Sequence, residues 1–192
     1  MTKDASRTLT REELNRQGEI LAEVREILIE NGIKPVLSDG IVLGYVREGD
    51  FIKWDFDADF FVEAEKMYGK EHKLIRSFLD KGFTLITMRN GKTDWKIAIK
   101  KEDYHIDIRS FYRDGLNRVR KVRRRNGKYS VYTMPSEFMD NLQEIEFYGE
   151  KYFIPKDTEG YLTCLYGDWR KVIRSVRHDE YLNPNFKKVT RR

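Results

Sequence analysis

Apolar and polar residues along this chain follow two periods, one near 3.6 residues and one near 2, which interleave without a regular alternation. Leu14, Leu21, Val24 and Leu28 recur at helical spacing behind Thr10-Arg11-Glu12-Glu13, where a hydroxyl three residues ahead of a glutamate forms a capping box. With Asn31-Gly32 as a stop, the pattern predicts a helix from about residue 11 to 31. Leu74, Ile75, Phe78 and Leu79 predict a second amphipathic helix over 66–81, ended by Gly82. A third is expected over 157–166, just after Pro155, and the apolar run 41–46 reads as one buried helical segment behind a Ser38-Asp39-Gly40 turn.

The shorter period predicts the strands. A short one is expected at 35–37 and another at 56–62, where apolar and acidic residues alternate. Segments 83–88 and 94–100 read as a hairpin joined by Asn90-Gly91, and 104–111 as a further strand. Two more hairpins are expected, 118–124 with 128–132 around Asn126-Gly127, and 144–148 with 151–154 around Gly149-Glu150. Beyond Gly167 the chain reads as irregular or helical. Helices and strands mixed in this way predict an α+β fold rather than a doubly wound one. A length of 192 residues suits one domain over 1–192, with a basic hairpin insertion near 117–133.

Composition adds limits. Hydrophobic residues at 40% and charged residues at 36% suit a globular protein with a heavily solvated surface. No window approaches the roughly 18 apolar residues needed to cross a bilayer, and residues 1–5 lack the apolar core of a signal peptide. A cytoplasmic protein with no stable membrane insertion is therefore expected. The lone Cys164 excludes an internal disulfide and a cysteine pair for zinc. The net charge of +5 conceals a block, residues 118–128, holding seven basic residues and no acidic one. Such a block is either a solvated hairpin or a place for phosphates, whether of an activated nucleotide, an anionic glycan or, ranked last, a nucleic acid.

Candidate chemistry centres on Trp54-Asp55-Phe56-Asp57-Ala58-Asp59. On an extended strand Asp55, Asp57 and Asp59 share a face at intervals of roughly 6.6 Å. The apolar residues between them imply a central strand, where unneutralised carboxylates repel and are costly. Hard divalent ions, Mg²⁺ or Mn²⁺, fit such oxygen-rich surroundings. Asp107, within Tyr104-His105-Ile106-Asp107-Ile108-Arg109, is the candidate for a carboxylate from a neighbouring strand. Asp57, Asp59 and Asp107 are thus the expected metal ligands.

The stretch from Asp39-Gly40 through Leu43-Gly44, Arg47, Gly49-Asp50-Phe51-Ile52 and Trp54-Asp55-Phe56-Asp57-Ala58-Asp59 resembles the signature of the LicD/fukutin-related family. Asp107 occupies the place of that family's later strand carboxylate. Ile154-Pro155, Glu159-Gly160-Tyr161-Leu162 and Tyr166-Gly167-Asp168-Trp169 resemble a second family block, so the likeness spans roughly residues 36–170. Departures are Lys53, where members often carry proline, and Phe56, where many carry an acid.

The resemblance implies a nucleotidyltransferase-like mixed sheet flanked by helices. It also implies Mg²⁺-dependent transfer of a phosphorylated alcohol, such as phosphocholine or a polyol phosphate, from a CDP-activated donor to a sugar hydroxyl, with release of CMP. The implied acceptor is a cell-surface glycan or its precursor: lipopolysaccharide, capsule or teichoic acid. Catalysis would rest on Asp57, Asp59, Asp107 and Asp55, with Asp107 or Asp55 binding metal or taking the acceptor's proton. Gly40 and Gly44 would let backbone approach phosphates, Arg47 and Lys53 would hold diphosphate oxygens, and Tyr166 would stack on base or sugar. Two alternatives stand beside this reading: a nucleotidyltransferase moving a nucleoside monophosphate with pyrophosphate release, and a nucleic-acid-binding module built on the basic hairpin.

Overall fold

Thr10 caps the first helix, α1 (Arg11–Glu30), in the computed structural model, which describes residues 7–91, 94–124, 126–174 and 182–190. The cap is reciprocal. Thr10 Oγ1 accepts from the Glu13 amide at 3.2 Å, and Glu13 Oε2 accepts from the Thr10 amide at 2.8 Å. The chain then forms β1 (Val36–Ser38) and turns at once into α2 (Asp39–Glu48), so the expected Ser38-Asp39-Gly40 turn is this helix's first turn. Gly49, left-handed at φ 66°, ends it.

β2 (Asp57–Glu63) follows, and α3 (Glu71–Asp80) begins five residues later than the periodicity predicts. A 3-10 turn (Ala64–Lys66) and Gly69, at φ 79°, occupy the interval and break the helical path. β3 (Thr84–Gly91) and β4 (Asp94–Lys101) form a hairpin in which Asn90 and Gly91 are strand residues, paired with Trp95 and Asp94. The predicted Asn90-Gly91 turn is thereby corrected, since the two residues that join these strands lie outside those described.

β5 (Tyr104–Asp114) is longer than expected, and β6 (Asn117–Arg123) and β7 (Tyr129–Pro135) form the basic hairpin. A one-turn helix, α4 (Glu137–Asp140), precedes β8 (Leu142–Phe147) and β9 (Glu150–Pro155). Their turn is Tyr148-Gly149, both left-handed (φ 51° and 78°), the form that suits the twist of a two-residue hairpin. Asp157 caps α5 (Thr158–Tyr166) by accepting from the Gly160 amide at 2.9 Å. A last strand, β10 (Lys187–Thr190), pairs with β7 where the sequence reads as irregular or helical.

The strands form one mixed sheet in the order β10-β7-β6-β5-β2-β1-β9-β8, with β4 and β3 also joined through β5. The fold is α+β: β2 and β5 run parallel, while β1 with β2 and β4 with β5 run antiparallel. β5 serves both halves of the sheet. Its early residues pair with β2 and β4, and Tyr112 to Asp114 pair with β6.

Alternation along β5 separates the faces. Tyr104, Ile106 and Ile108 are buried on the side of α1 and α3, where the Tyr104 hydroxyl donates to the Glu13 carbonyl and Trp95 Nε1 donates to Glu71. The opposite face carries Asp107 and Arg109 and is covered beyond them by α5, whose Tyr161 meets Phe61 edge-on at 6.0 Å. Among the described residues no helix is long and apolar enough to cross a membrane.

Candidate active site

Register brings the expected carboxylates together. β1, β2, β5 and β4 align Ser38, Asp59, Asp107 and Ala98 in a single row across four strands. Asp59 and Asp107 are thus immediate neighbours on parallel strands, which lie about 4.8 Å apart. Small side chains flank the pair on both sides. Asp57 lies on the same face one step away, level with His105.

Two cations on this face pair with these carboxylates. Arg109 Nη2 donates to Asp39 Oδ2 at 2.5 Å and lies 2.8 Å from Asp59 Oδ1, and Lys96 Nζ donates to Asp107 Oδ2. Asp39, the first residue of α2, has a left-handed backbone (φ 49°), a conformation that costs a non-glycine residue energy. Its amide donates to the hydroxyl of the fully buried Tyr161 at 3.0 Å, and this bond and the Arg109 pair hold it in place. Next to it, the Ser38 hydroxyl is buried with no hydrogen-bond partner among the described residues.

Burial raises the Asp59 carboxyl, Arg109 opposes this, and Asp39, Asp107 and Asp55 raise it again, to about 8. Burial lowers Lys96 more than Asp107 raises it, and Arg109 and Arg120 lower it further. Arg109 is lifted above its ordinary value, the carboxylates around it outweighing its burial.

Asp39, Asp107 and Asp55 all act on Asp59, while Lys96 pairs with Asp107 and Arg109 with Asp39 and Asp59. This grouping of carboxylates and its all-oxygen donor set fit a hard divalent ion held by Asp59 and Asp107. The expected trio of Asp57, Asp59 and Asp107 is not preassembled: among the described residues no three acidic, histidine or cysteine side chains converge to hold a metal. Lys96 and Arg109 engage two of its members instead.

The remaining expected residues divide. Asp55 is not on the strand but in the turn before it, where its Oδ1 accepts from the Asp57 amide at 3.2 Å. The same-face trio read from the sequence is therefore a pair, Asp57 and Asp59, with Asp55 approaching from a loop. Gly40 makes this approach possible, because a Cβ there would lie 2.5 Å from Asp55 Oδ2. Gly44 is buried under the loop after α2, and its Cβ would lie 2.5 Å from the Asp50 carbonyl oxygen.

Arg47 pairs with Glu48 at 2.8 Å near the far end of α2, about 12 Å along the axis from Asp39. Lys53 is exposed in the turn before β2, and Tyr166 ends α5, partly buried against the core. The structure therefore gathers Gly40, Asp55, Asp57, Asp59 and Asp107, and places Gly44 under the loop after α2 and Arg47 at the far end of that helix.

Sequence reasoning missed Asp39, Lys96 and Arg109. Arg109 shares the parity of Asp107, a signal available in Ile106-Asp107-Ile108-Arg109, whereas Lys96 is placed only by the β4–β5 register. The basic block also differs from a wholly solvated hairpin. Arg118 is buried among Glu63, Glu65 and Asp140, and Arg120 is buried against Asp94 at 2.9 Å.

Residues 32–157 match the family model described as LicD/FKTN/FKRP, nucleotidyltransferase domain. No curated protein sequence is a significant match. Among solved structures, a crystal structure of ANT(2'')-Ia in complex with adenylyl-2''-tobramycin matches at 12% identity and TM-score 0.39, over 52% of this chain and 52% of that one. A solution structure of the antibiotic-resistance factor ANT(2'')-Ia matches at 13% identity and TM-score 0.41, over 53% and 50%. The match spans about half the length of each of these structures.

Proposed function

The chain belongs to the LicD/FKTN/FKRP family by its nucleotidyltransferase domain, and from that premise we propose that it transfers a phosphorylated alcohol from a CDP-activated donor to a sugar hydroxyl of a surface glycan or its precursor. The observation that carries this reading is the adjacency of Asp59 and Asp107 across β2 and β5, with Asp39 and Asp55 close enough to act on Asp59. In this reaction the acceptor oxygen bonds to the phosphorus bearing the alcohol. The bond from that phosphorus to the bridging oxygen breaks, and CMP leaves with the electron pair.

Little covalent help is needed, so positioning and charge neutralisation dominate. A bound Mg²⁺ or Mn²⁺ supplies neutralisation of the diphosphate. Asp59 and Asp107 would hold the ion, with Asp57 the next carboxylate in reach on the same face. With Asp57 beside Asp59 at the ion instead, Asp107, the more exposed at 29% against 18% for Asp59, would be left to take the acceptor's proton. Arg109 fixes Asp59 and Asp39, and Gly40 admits Asp55 beside the amides that open α2. We place the activity in the cytoplasm, on a precursor acceptor.

The deciding experiment is incubation with CDP-choline, CDP-glycerol or CDP-ribitol and Mg²⁺, scored for CMP. Release of CMP from one of them supports the reading. Pyrophosphate release from CTP or ATP, with no CMP from any CDP-alcohol, overturns it in favour of nucleotidyl transfer.

A further inference from the structure

Lys96 and Arg109 stand directly opposite each other in the β4–β5 register, on the face that carries Asp59 and Asp107. Each is bonded to one of the two carboxylates proposed to hold the divalent ion: Lys96 to Asp107, and Arg109 to Asp59. Lys96 takes Asp107 Oδ2 and Arg109 takes Asp59 Oδ1, and each cation offsets the charge that would draw a metal to that carboxylate, so ion and side chain compete to neutralise the same two groups.

The cations are not isolated. Arg120, only 5% exposed, acts electrostatically on both Lys96 and Arg109, and Arg89 of β3 stands directly opposite Lys96. Arg120 and Arg89 share a single carboxylate, Asp94, at 2.9 and 3.1 Å. One flank of the carboxylate pair is therefore rich in positive charge.

From these contacts we infer that Lys96 and Arg109 are stand-in cations, which neutralise Asp107 and Asp59 while the metal is absent and pass to substrate phosphate once it binds. The inference rests on the proposed phosphoryl-transfer reading and adds to it the side chains that receive the phosphates. Lys96 is the more transferable of the two. Its ammonium has three rotatable donors on a flexible stem and, among the described residues, one carboxylate partner, whereas Arg109 remains anchored by Asp39. Metal and phosphate then bind with positive coupling, because the ion's arrival frees the groups that phosphate needs.

The test uses the whole chain and two probes, Mn²⁺ alone followed by electron paramagnetic resonance, and inorganic phosphate followed by calorimetry at saturating Mn²⁺. Lys96→Met is expected to bind Mn²⁺ about tenfold more tightly than wild type and phosphate about tenfold more weakly. Lys96→Arg restores the cation and is expected to return both affinities to within about threefold of wild type. A purely structural lysine would not move the two affinities in opposite directions.

A folded Lys96→Met, verified by its circular-dichroism melt, overturns the proposal if its Mn²⁺ affinity is unchanged or weaker, or if its phosphate affinity is unchanged. If that variant does not fold, wild type decides, since equal phosphate affinity with and without Mn²⁺ overturns the coupling. Failure of the donor reading is separable from this. In that case no CDP-alcohol yields CMP while the opposed shifts persist, whereas failure of the stand-in role leaves CMP release intact and the opposed shifts absent.

Discussion

Arg109 ties the first residue of α2 to the middle of β2, with one nitrogen 2.5 Å from Asp39 and 2.8 Å from Asp59. Removing it leaves two largely buried carboxylates without their shared counter-ion. Arg109→Met is therefore expected to lose roughly 3 kcal/mol of stability, the usual cost of stranding one side of a buried pair. Urea unfolding measures this, and a loss below about 1 kcal/mol would show that Asp39 and Asp59 do not depend on the arginine.

Asp107→Asn tests the chemistry without emptying space. It keeps the side-chain shape, removes one of several mutually repelling charges and leaves Lys96 without its anion. CMP release is expected to fall by at least about 100-fold, the lower end for losing a positioned acid or base. A variant with near wild-type turnover removes Asp107 from the reaction.

Acidity of Asp59 sets a pH dependence with a definite sign. Its native carboxyl stands near 8, above the roughly 3.9 of an unfolded aspartate. Between these values the native state binds more protons than the unfolded one, so stability falls as pH rises. The contribution is complete below about pH 4 and is lost as pH passes 8. Melting temperatures in EDTA from pH 5 to 9 should slope downward more steeply for wild type than for Asp59→Asn. Parallel curves would contradict the raised acidity.

Two glycines of α2 should respond differently to the same change. Alanine in a helix interior normally stabilises by up to about 1 kcal/mol relative to glycine. Gly44→Ala instead meets the backbone of residues 50–52, which cannot retreat cheaply, and is expected to cost about 2 kcal/mol. Gly40→Ala meets only the end of the Asp55 side chain, so stability should change by less than about 1 kcal/mol while activity falls about tenfold or more as the carboxylate is displaced. Thermal melts read beside CMP release separate the two. Full activity in Gly40→Ala would remove Asp55 from the site.

What the sequence made legible follows from the range of each interaction. The capping box at Thr10, the alternation through Asp57 and Asp59, and the turn at Gly149 are written within a few residues, and each lies close to its expected place. Alternation puts Asp55 on the strand because it does not reveal where a strand begins. Its backbone is still turning, with the amide bonded to the Ile52 carbonyl at 2.9 Å.

Lys96 was invisible for another reason. Its partner Asp107 is eleven residues away, and only the register of a completed hairpin brings them together. β10 is a four-residue strand whose Lys187-Lys188-Val189-Thr190 has no clear alternation, and β7 supplies its order. In the basic block, composition counted charges but did not reveal that Arg118 and Arg120 turn inward together.

β5 carries Asp107 and Arg109 in its first half and pairs with β6 from Tyr112 to Asp114. The distance between the two functions is therefore counted in residues of a single strand, and its parity is fixed. Inserting one residue between Arg109 and Tyr112 would leave Asp107 beside Asp59 while rotating the following hairpin by half a turn. Arg118 and Arg120 would then point away from Glu63, Asp140 and Asp94. Two inserted residues would restore the facing but move the hairpin outward by about 6.6 Å. The hairpin can therefore vary freely at its tip but not at its root, where its orientation is inherited from β5.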